Sequence, residues 1–171
     1  MTAPTPPPAS PAPAPHQDLD RARRAFDGAH QRIIAASTEA DLVAEFGILL
    51  DQLYRLGEVY RKWRGLSKDR LYRFLHDSGS DDLRAAGAAI WARKFDVHKV
   101  VKVASSDAAN PDIYSDAYGG LAWKPLAEGD PGVERDKDYA DVLEGRHVAS
   151  TIRHAFDAMA ALLSPSSTAG P

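Results

Sequence analysis

The chain has no cysteine. That absence removes disulfides, thiolate metal sites and a cysteine nucleophile, and it permits a reducing compartment, so the expected location is cytoplasmic. Long apolar runs are missing too. The longest stretch without a polar residue, Ala85 to Ala92, is mostly alanine and glycine and falls far short of the ~20 residues needed to cross a bilayer. No membrane span or membrane partner is expected. The N-terminus lacks the basic segment and continuous apolar stretch of a secretion signal. Gly119-Gly120 is not followed by the Lys and Ser or Thr of a phosphate loop, and no serine sits in a nucleophile elbow. His147 and His154 have no His-Glu cluster to complete a metal site. Neither metal nor cofactor is expected, and kinase and serine-hydrolase chemistry have no residues to rest on.

What remains is 171 residues, of which 44% are hydrophobic and 26% charged, enough apolar side chain for one soluble domain with a core of its own. Thr2 to Pro15 is almost entirely Pro, Ala, Thr and Ser. Such a segment cannot bury enough apolar area to offset its ordering entropy, so residues 1–16 are expected to form a disordered, extended tail. The C-terminal Ser-Pro-Ser-Ser-Thr-Ala-Gly-Pro, 164–171, reads the same way. One helical domain is left between 17 and 163.

Within it, Leu19, Ala22, Phe26, Ala29, Ile33 and Ala36 step by three and four, which places them on one stripe of a first helix. Ser37-Thr38-Glu39-Ala40-Asp41 supplies a capping hydroxyl with an acid three positions on, and predicts a second helix from about Glu39. Leu42, Phe46, Leu49, Leu53, Leu56, Tyr60 and Trp63 then alternate steps of four and three without a slip. That period suits shallow-angle packing along a neighbour, and Gly65 ends the helix. The short link makes the first two helices an antiparallel hairpin. Ser67 caps a third, shorter helix with Leu71, Phe74 and Leu75, stopping near Ser78-Gly79. Ser80 or Asp81 caps a fourth, expected to run on through Leu83, Ala86, Ile90, Val97, Val101 and Ala104, with Trp91 and Phe95 on a second apolar face.

From 105 to 135 the helical period disappears and Pro, Gly, Asp and Asn accumulate, so this stretch is expected to be a long, partly structured insertion. Either Gly119-Gly120 turns a small hairpin with alternating Leu121 and Trp123, or Tyr114 and Tyr118 share a helical turn capped by Gly119 ahead of a short strand. Helix returns from about Asp136 to Leu163, with Gly145 as a break and Ser150 or Thr151 as the restart. The expected fold class is therefore all-α, a four- to five-helix up-down bundle with an insertion before the last helix.

Charge is uneven along the chain although the net value is −3. Arg55 to His76 holds seven Lys and Arg against Glu58 and Asp69, whereas Ala104 to Gly145 holds ten Asp and Glu against Lys124, Arg135 and Lys137. Arg61, Lys62, Arg64, Lys68, Arg70 and Arg73 are interleaved with aromatics, a pattern that suits phosphate contacts with base stacking. They are the candidate nucleic-acid-binding residues. The competing reading is a solvated basic face that balances the acidic insertion.

Arg93, Lys94 and His98 form the candidate catalytic group, in Ala-Ile-Trp-Ala-Arg-Lys-Phe-Asp-Val-His. An imidazole exchanges protons near neutral pH, and a guanidinium holds a phosphate. Arg24 with His30 and Arg70 with His76 also set an Arg a few residues ahead of a His, but only at Arg93 is the following residue polar and the surrounding helix apolar on two faces. On a helix Arg93 and His98 stand ~140° apart, so a second subunit would be needed to focus both on one phosphate, while Lys94 and His98 align.

This segment resembles the HEPN superfamily, helical bundles marked by Arg, four to six residues, then His. The resemblance covers the motif and the all-helical plan, and Lys94 departs from the Asn, Asp or His usual after the Arg. It implies a metal-independent ribonuclease of a toxin-antitoxin or abortive-infection system, with two motifs meeting across a homodimer. His98 would act as general acid or base at the ribose 2′-hydroxyl and Arg93 would steady the phosphate. The partners to expect are then a second copy of the chain, RNA, and an antitoxin or other protein. The alternatives from other classes are a non-catalytic helical interaction or dimerisation protein, of phage or mobile-element type, and a nucleic-acid-binding module without catalysis.

Overall fold

The computed structural model describes residues 16–36, 38–94, 101–103, 121–124 and 134–164. Six helices lie among them: α1 (His16–Ala35), α2 (Glu39–Trp63), α3 (Lys68–His76), α4 (Asp81–Ala92), α5 (Glu134–Val142) and α6 (Val148–Leu162). Two short strands, β1 (Val101–Val103) and β2 (Leu121–Trp123), complete the described elements. The protein is an all-α bundle. The expected tails before His16 and after Ser164, and the insertion outside 121–124 and 134–135, lie outside the described residues.

Local chemistry sets the helix boundaries. Thr38 accepts from the Asp41 amide at 3.1 Å and opens α2, Ser67 accepts from Arg70 at 3.2 Å and opens α3, and Ser80 accepts from Leu83 and opens α4. Each hydroxyl satisfies an amide with no partner inside its helix. At φ +63° and +73°, Gly65 and Gly145 take up left-handed backbone just where α2 and the α5 region end.

The core is the one read from the pattern. Leu19, Ala22, Phe26, Ala29 and Ile33 of α1 are buried, as are Leu42, Phe46, Leu49, Leu53, Leu56 and Tyr60 of α2, with Trp63 partly covered. The two helices fold back on each other through a short link, and Arg32 meets Glu45 near it at 2.7 Å. α6 is the central helix, packing on α1, α2, α4 and β2. It buries Ile152, Ala155, Phe156, Met159 and Ala160, and Phe156 stacks on Phe26 at 3.9 Å.

Three expectations are corrected. α4 does not run on to Ala104: it ends at Ala92, with Arg93 as its C-cap. The chain beyond is rich in valine, β-branched and suited to strands, and Val101–Val103 pairs antiparallel with β2 in the register Val101↔Trp123, Lys102↔Ala122, Val103↔Leu121. The partner of Leu121–Trp123 therefore comes from ahead of the insertion, in a segment expected to be helix, and not from beside Gly119-Gly120. Finally, α6 starts at Val148, before Ser150 and Thr151, whose hydroxyls instead donate back to the His147 carbonyl. The other edge of β2 is held by Trp123 N–H to the Arg146 carbonyl (3.1 Å) and Gly145 N–H to the Trp123 carbonyl (3.0 Å). Leu121, Ala122 and Trp123 are fully buried, so the insertion contributes to the core. No helix among the described residues is long and apolar enough to cross a membrane.

Candidate functional site

The C-terminal half of α2, α3 and the end of α4 carry most of the residues singled out above. Arg61 is not free for a ligand: it grips Glu58 through two hydrogen bonds (2.9 and 2.8 Å) and donates to the Leu66 carbonyl at 3.1 Å, so it fastens the turn after α2. Arg61's hydrogen bonds hold the Glu58 carboxyl below the usual range against the opposing effect of burial. Lys62, Arg64, Lys68, Arg70 and Arg73 are exposed, and the Arg64 guanidinium lies over Trp63. The basic segment thus folds into one corner where α2 turns into α3.

Arg93 and Lys94 follow the last turn of α4. Arg93 donates to Asp51 at 2.9 Å, and its guanidinium lies 4.3 Å over the Tyr54 ring, so both contacts bind the end of α4 to α2. The Lys94 ammonium lies 4.3 Å over Trp91. His98 lies outside the described residues. α4 stops at Ala92, so Arg93 and Lys94 stand just beyond its last residue.

Lys94 and Lys68 instead border one groove, formed where α2, α3 and α4 meet. It has a volume of about 280 Å³, with Tyr54, Tyr72 and Trp91 among its walls and Leu71, Leu75 and Ile90 beneath. A wider groove of about 750 Å³ runs between α1 and α2 past Tyr54 and Trp63. Its charges are of both signs, and two of them are paired, Arg55 with Asp51 and Glu58 with Arg61.

Behind the smaller groove lies a polar cluster that the sequence reading missed. Asp138 of α5 is fully buried, and its carboxylate accepts from Tyr72 Oη (2.8 Å), from His76 Nδ1 (2.7 Å) and from Arg84 Nε and Nη2 (3.0 and 2.8 Å). Burial alone would raise the carboxyl pKa, but the donated bonds from His76, Tyr72 and Arg84 hold it below the usual value. Arg84 also reaches Asp141 at 3.0 Å. The cluster locks α3, α4 and α5 together and fixes the rings of Tyr72 and His76. The His76 side chain is 29% exposed, and among the described residues only its Nδ1 is bonded. An imidazole oriented by a buried carboxylate with its other nitrogen open can take or give a proton. One signal was legible: Lys68, Tyr72 and His76 are spaced by four and share a face of α3. Their partner stands 62 residues away from His76 and could not be read from spacing.

Among the described residues no three His, Asp or Glu side chains come together to hold a metal ion. Comparison with protein-family models, with curated proteins and with solved structures finds no match.

Proposed function

We propose that this chain is a helical-bundle domain that binds single-stranded RNA through the α2–α3 corner. The observation that carries this reading is the exposure of Lys62, Arg64, Lys68, Arg70 and Arg73, with Asp69 as the one acidic residue between 61 and 73. Clustered cations neutralise phosphates and release counterions, which drives association with a polyanion whatever its sequence. Aromatics beside them offer stacking surfaces for unpaired bases. The opposing interaction-protein reading calls for a contiguous apolar surface. Among the described residues the exposed large apolar side chains, Ile34, Ile48 and Phe74, lie on three different helices, and Phe74 stacks on Tyr60.

The test is fluorescence anisotropy of a labelled short oligouridylate at low salt, with wild type and the variant Arg64→Glu, Arg70→Glu, Arg73→Glu. Wild type binds, and charge reversal weakens binding by tenfold or more. Equal affinity in the two proteins, or none in the wild type, removes the reading.

A second reading, cleavage of the bound strand without a metal, draws on the HEPN resemblance of Arg93, Lys94 and His98. It is favoured by the placement of Lys94 at the groove rim and by the Asp138-held imidazole of His76 on α3. Incubating mixed RNA in EDTA with wild type, His98→Ala and His76→Ala, and scoring 2′,3′-cyclic phosphate ends, tests it. Loss of cleavage in one variant assigns the proton-transfer group. Intact RNA with folded wild type leaves a binding protein only.

A further inference from the structure

We infer that the groove between α2, α3 and α4 is a nucleobase site, which takes one unpaired base of single-stranded RNA against the rings of Tyr72 and Trp91 and the adjoining phosphates on Lys68 and Lys94. This rests on the RNA-binding reading and says where on the chain a base, as distinct from the phosphate backbone, is held.

Size comes first. About 280 Å³ lies near the lower end of small-molecule pockets, which begin at ~300 Å³, so the groove suits a single flat ring system and not a folded peptide segment. Gly87 of α4 is among the residues that line the groove. A β-carbon there would meet Leu75 Cβ at 3.4 Å and Tyr72 Cε2 at 3.5 Å, ordinary contact distances, so an alanine fits the helix packing and raises the floor by one methyl group. The walls have the chemistry of a base site. Apolar Leu71, Leu75 and Ile90 lie beneath aromatic faces, and a base presents a π-face that stacks on tyrosine or tryptophan.

The arrangement is also preorganised. The Tyr72 hydroxyl donates to buried Asp138 at 2.8 Å, which fixes the ring before any ligand arrives and lowers the ordering cost of binding. Trp91 is half-buried and meets Tyr139 edge-on at 6.3 Å. The Lys94 ammonium lies over Trp91, so an incoming base exchanges that cation–π contact for stacking while the ammonium turns to a phosphate. Charge complementarity runs outward from there. Lys68, at the first turn of α3, and Lys94, just past α4, are both exposed and both border the groove, so a phosphate on either side of a seated base meets a cation.

The experiment uses the full chain and reads tryptophan fluorescence and affinity together. Wild type, Trp91→Phe and Gly87→Ala are titrated with a short oligouridylate and with an abasic ribose-phosphate strand of the same length. The oligouridylate quenches wild-type fluorescence, and the quench is lost in Trp91→Phe. Gly87→Ala, with thermal unfolding showing it folded, binds the oligouridylate about tenfold more weakly, the effect of losing one stacked base. The abasic strand binds both proteins alike. If the oligouridylate binds but Trp91 does not report it and Gly87→Ala matches wild type, the base site is overturned while RNA binding stands. If the abasic strand binds wild type as tightly as the oligouridylate, no base is recognised and the inference fails in the same way. If neither strand binds, the RNA reading falls and the base site with it.

Discussion

At the scale of single residues, the most informative side chains are those whose surroundings oppose their ordinary chemistry. His30 of α1 is buried against Phe26, and its Nε2 has no partner among the described residues. Burial, helped by the nearby Arg153 charge, pushes its pKa below the usual value. The unfolded chain therefore binds a proton below about pH 6.5 that the folded chain resists. The His30 contribution is fully present above that pH and is lost as the pH falls from there toward the lower folded value. Thermal unfolding from pH 8 down to 5 is expected to show a smaller loss for His30→Leu than for wild type, and parallel curves would refute it. Two glycines give a stability comparison of opposite kind. A methyl at Gly47, on α2, meets nothing within 4 Å, so Gly47→Ala is expected to stabilise by about 0.5–1 kcal/mol through helix propensity. At Gly57, on the same helix, it would stand 2.9 Å from Ile90 Cδ1, so Ile90 must shift and the gain is expected to vanish. Denaturant midpoints of the two variants, measured side by side, decide this.

At the scale of elements, α3 is a nine-residue helix and too short to persist by propensity. Its position comes from Leu71 and Leu75 on one side and from the Asp138 cluster on the other. Asp138→Asn removes the charge opposite Arg84 and His76 in a buried setting and is expected to cost about 3 kcal/mol. The loss should diminish in acid: a carboxyl held below its usual pKa adds stability above about pH 3.9 that fades as the pH falls through the folded value. Urea unfolding at neutral pH checks the magnitude, and a change under about 1 kcal/mol would mean that the existing bond to Asp141 is enough to compensate Arg84. The same elements mark how far the sequence could be read. α1, α2 and α3 are legible because each carries a single-sided stripe, and α2 and α3 a capping hydroxyl as well, local signals that packing merely ratifies. α4 was read too long because Val97, Val101 and Ala104 continue its spacing, and periodicity cannot register that valines will pair with Leu121–Trp123 across the insertion. For the candidate site, the basic corner was visible as a run of charge. The groove was not, because Tyr54, Tyr72 and Trp91 come from three helices, and Arg61 looked like its neighbours until its bonds to Glu58 and Leu66 were seen.

At the scale of the whole molecule, the net charge of −3 conceals a separation of sign. The Arg55–His76 segment carries seven cations and two acids, and the Ala104–Gly145 segment ten acids and three cations. A polyanion is drawn to the exposed cations at the end of α2 and on α3 before contact. Because phosphate contacts displace condensed counterions, that attraction has a measurable signature in salt. If Lys62, Arg64, Lys68, Arg70, Arg73 and Lys94 each meet one phosphate of a single strand, log affinity should fall with log salt at a slope of about −4.2, from ~0.7 per contact. Removing two of them, in Arg70→Ala with Arg73→Ala, should flatten the slope by about 1.4. Gly87→Ala should lower affinity at every salt concentration with the slope unchanged, because a stacked base releases no counterions. Anisotropy titrations across a series of salt concentrations separate the two classes. A slope that Arg70→Ala with Arg73→Ala leaves untouched would mean that the strand lies elsewhere, and a slope altered by Gly87→Ala would mean that the groove meets phosphate and not base.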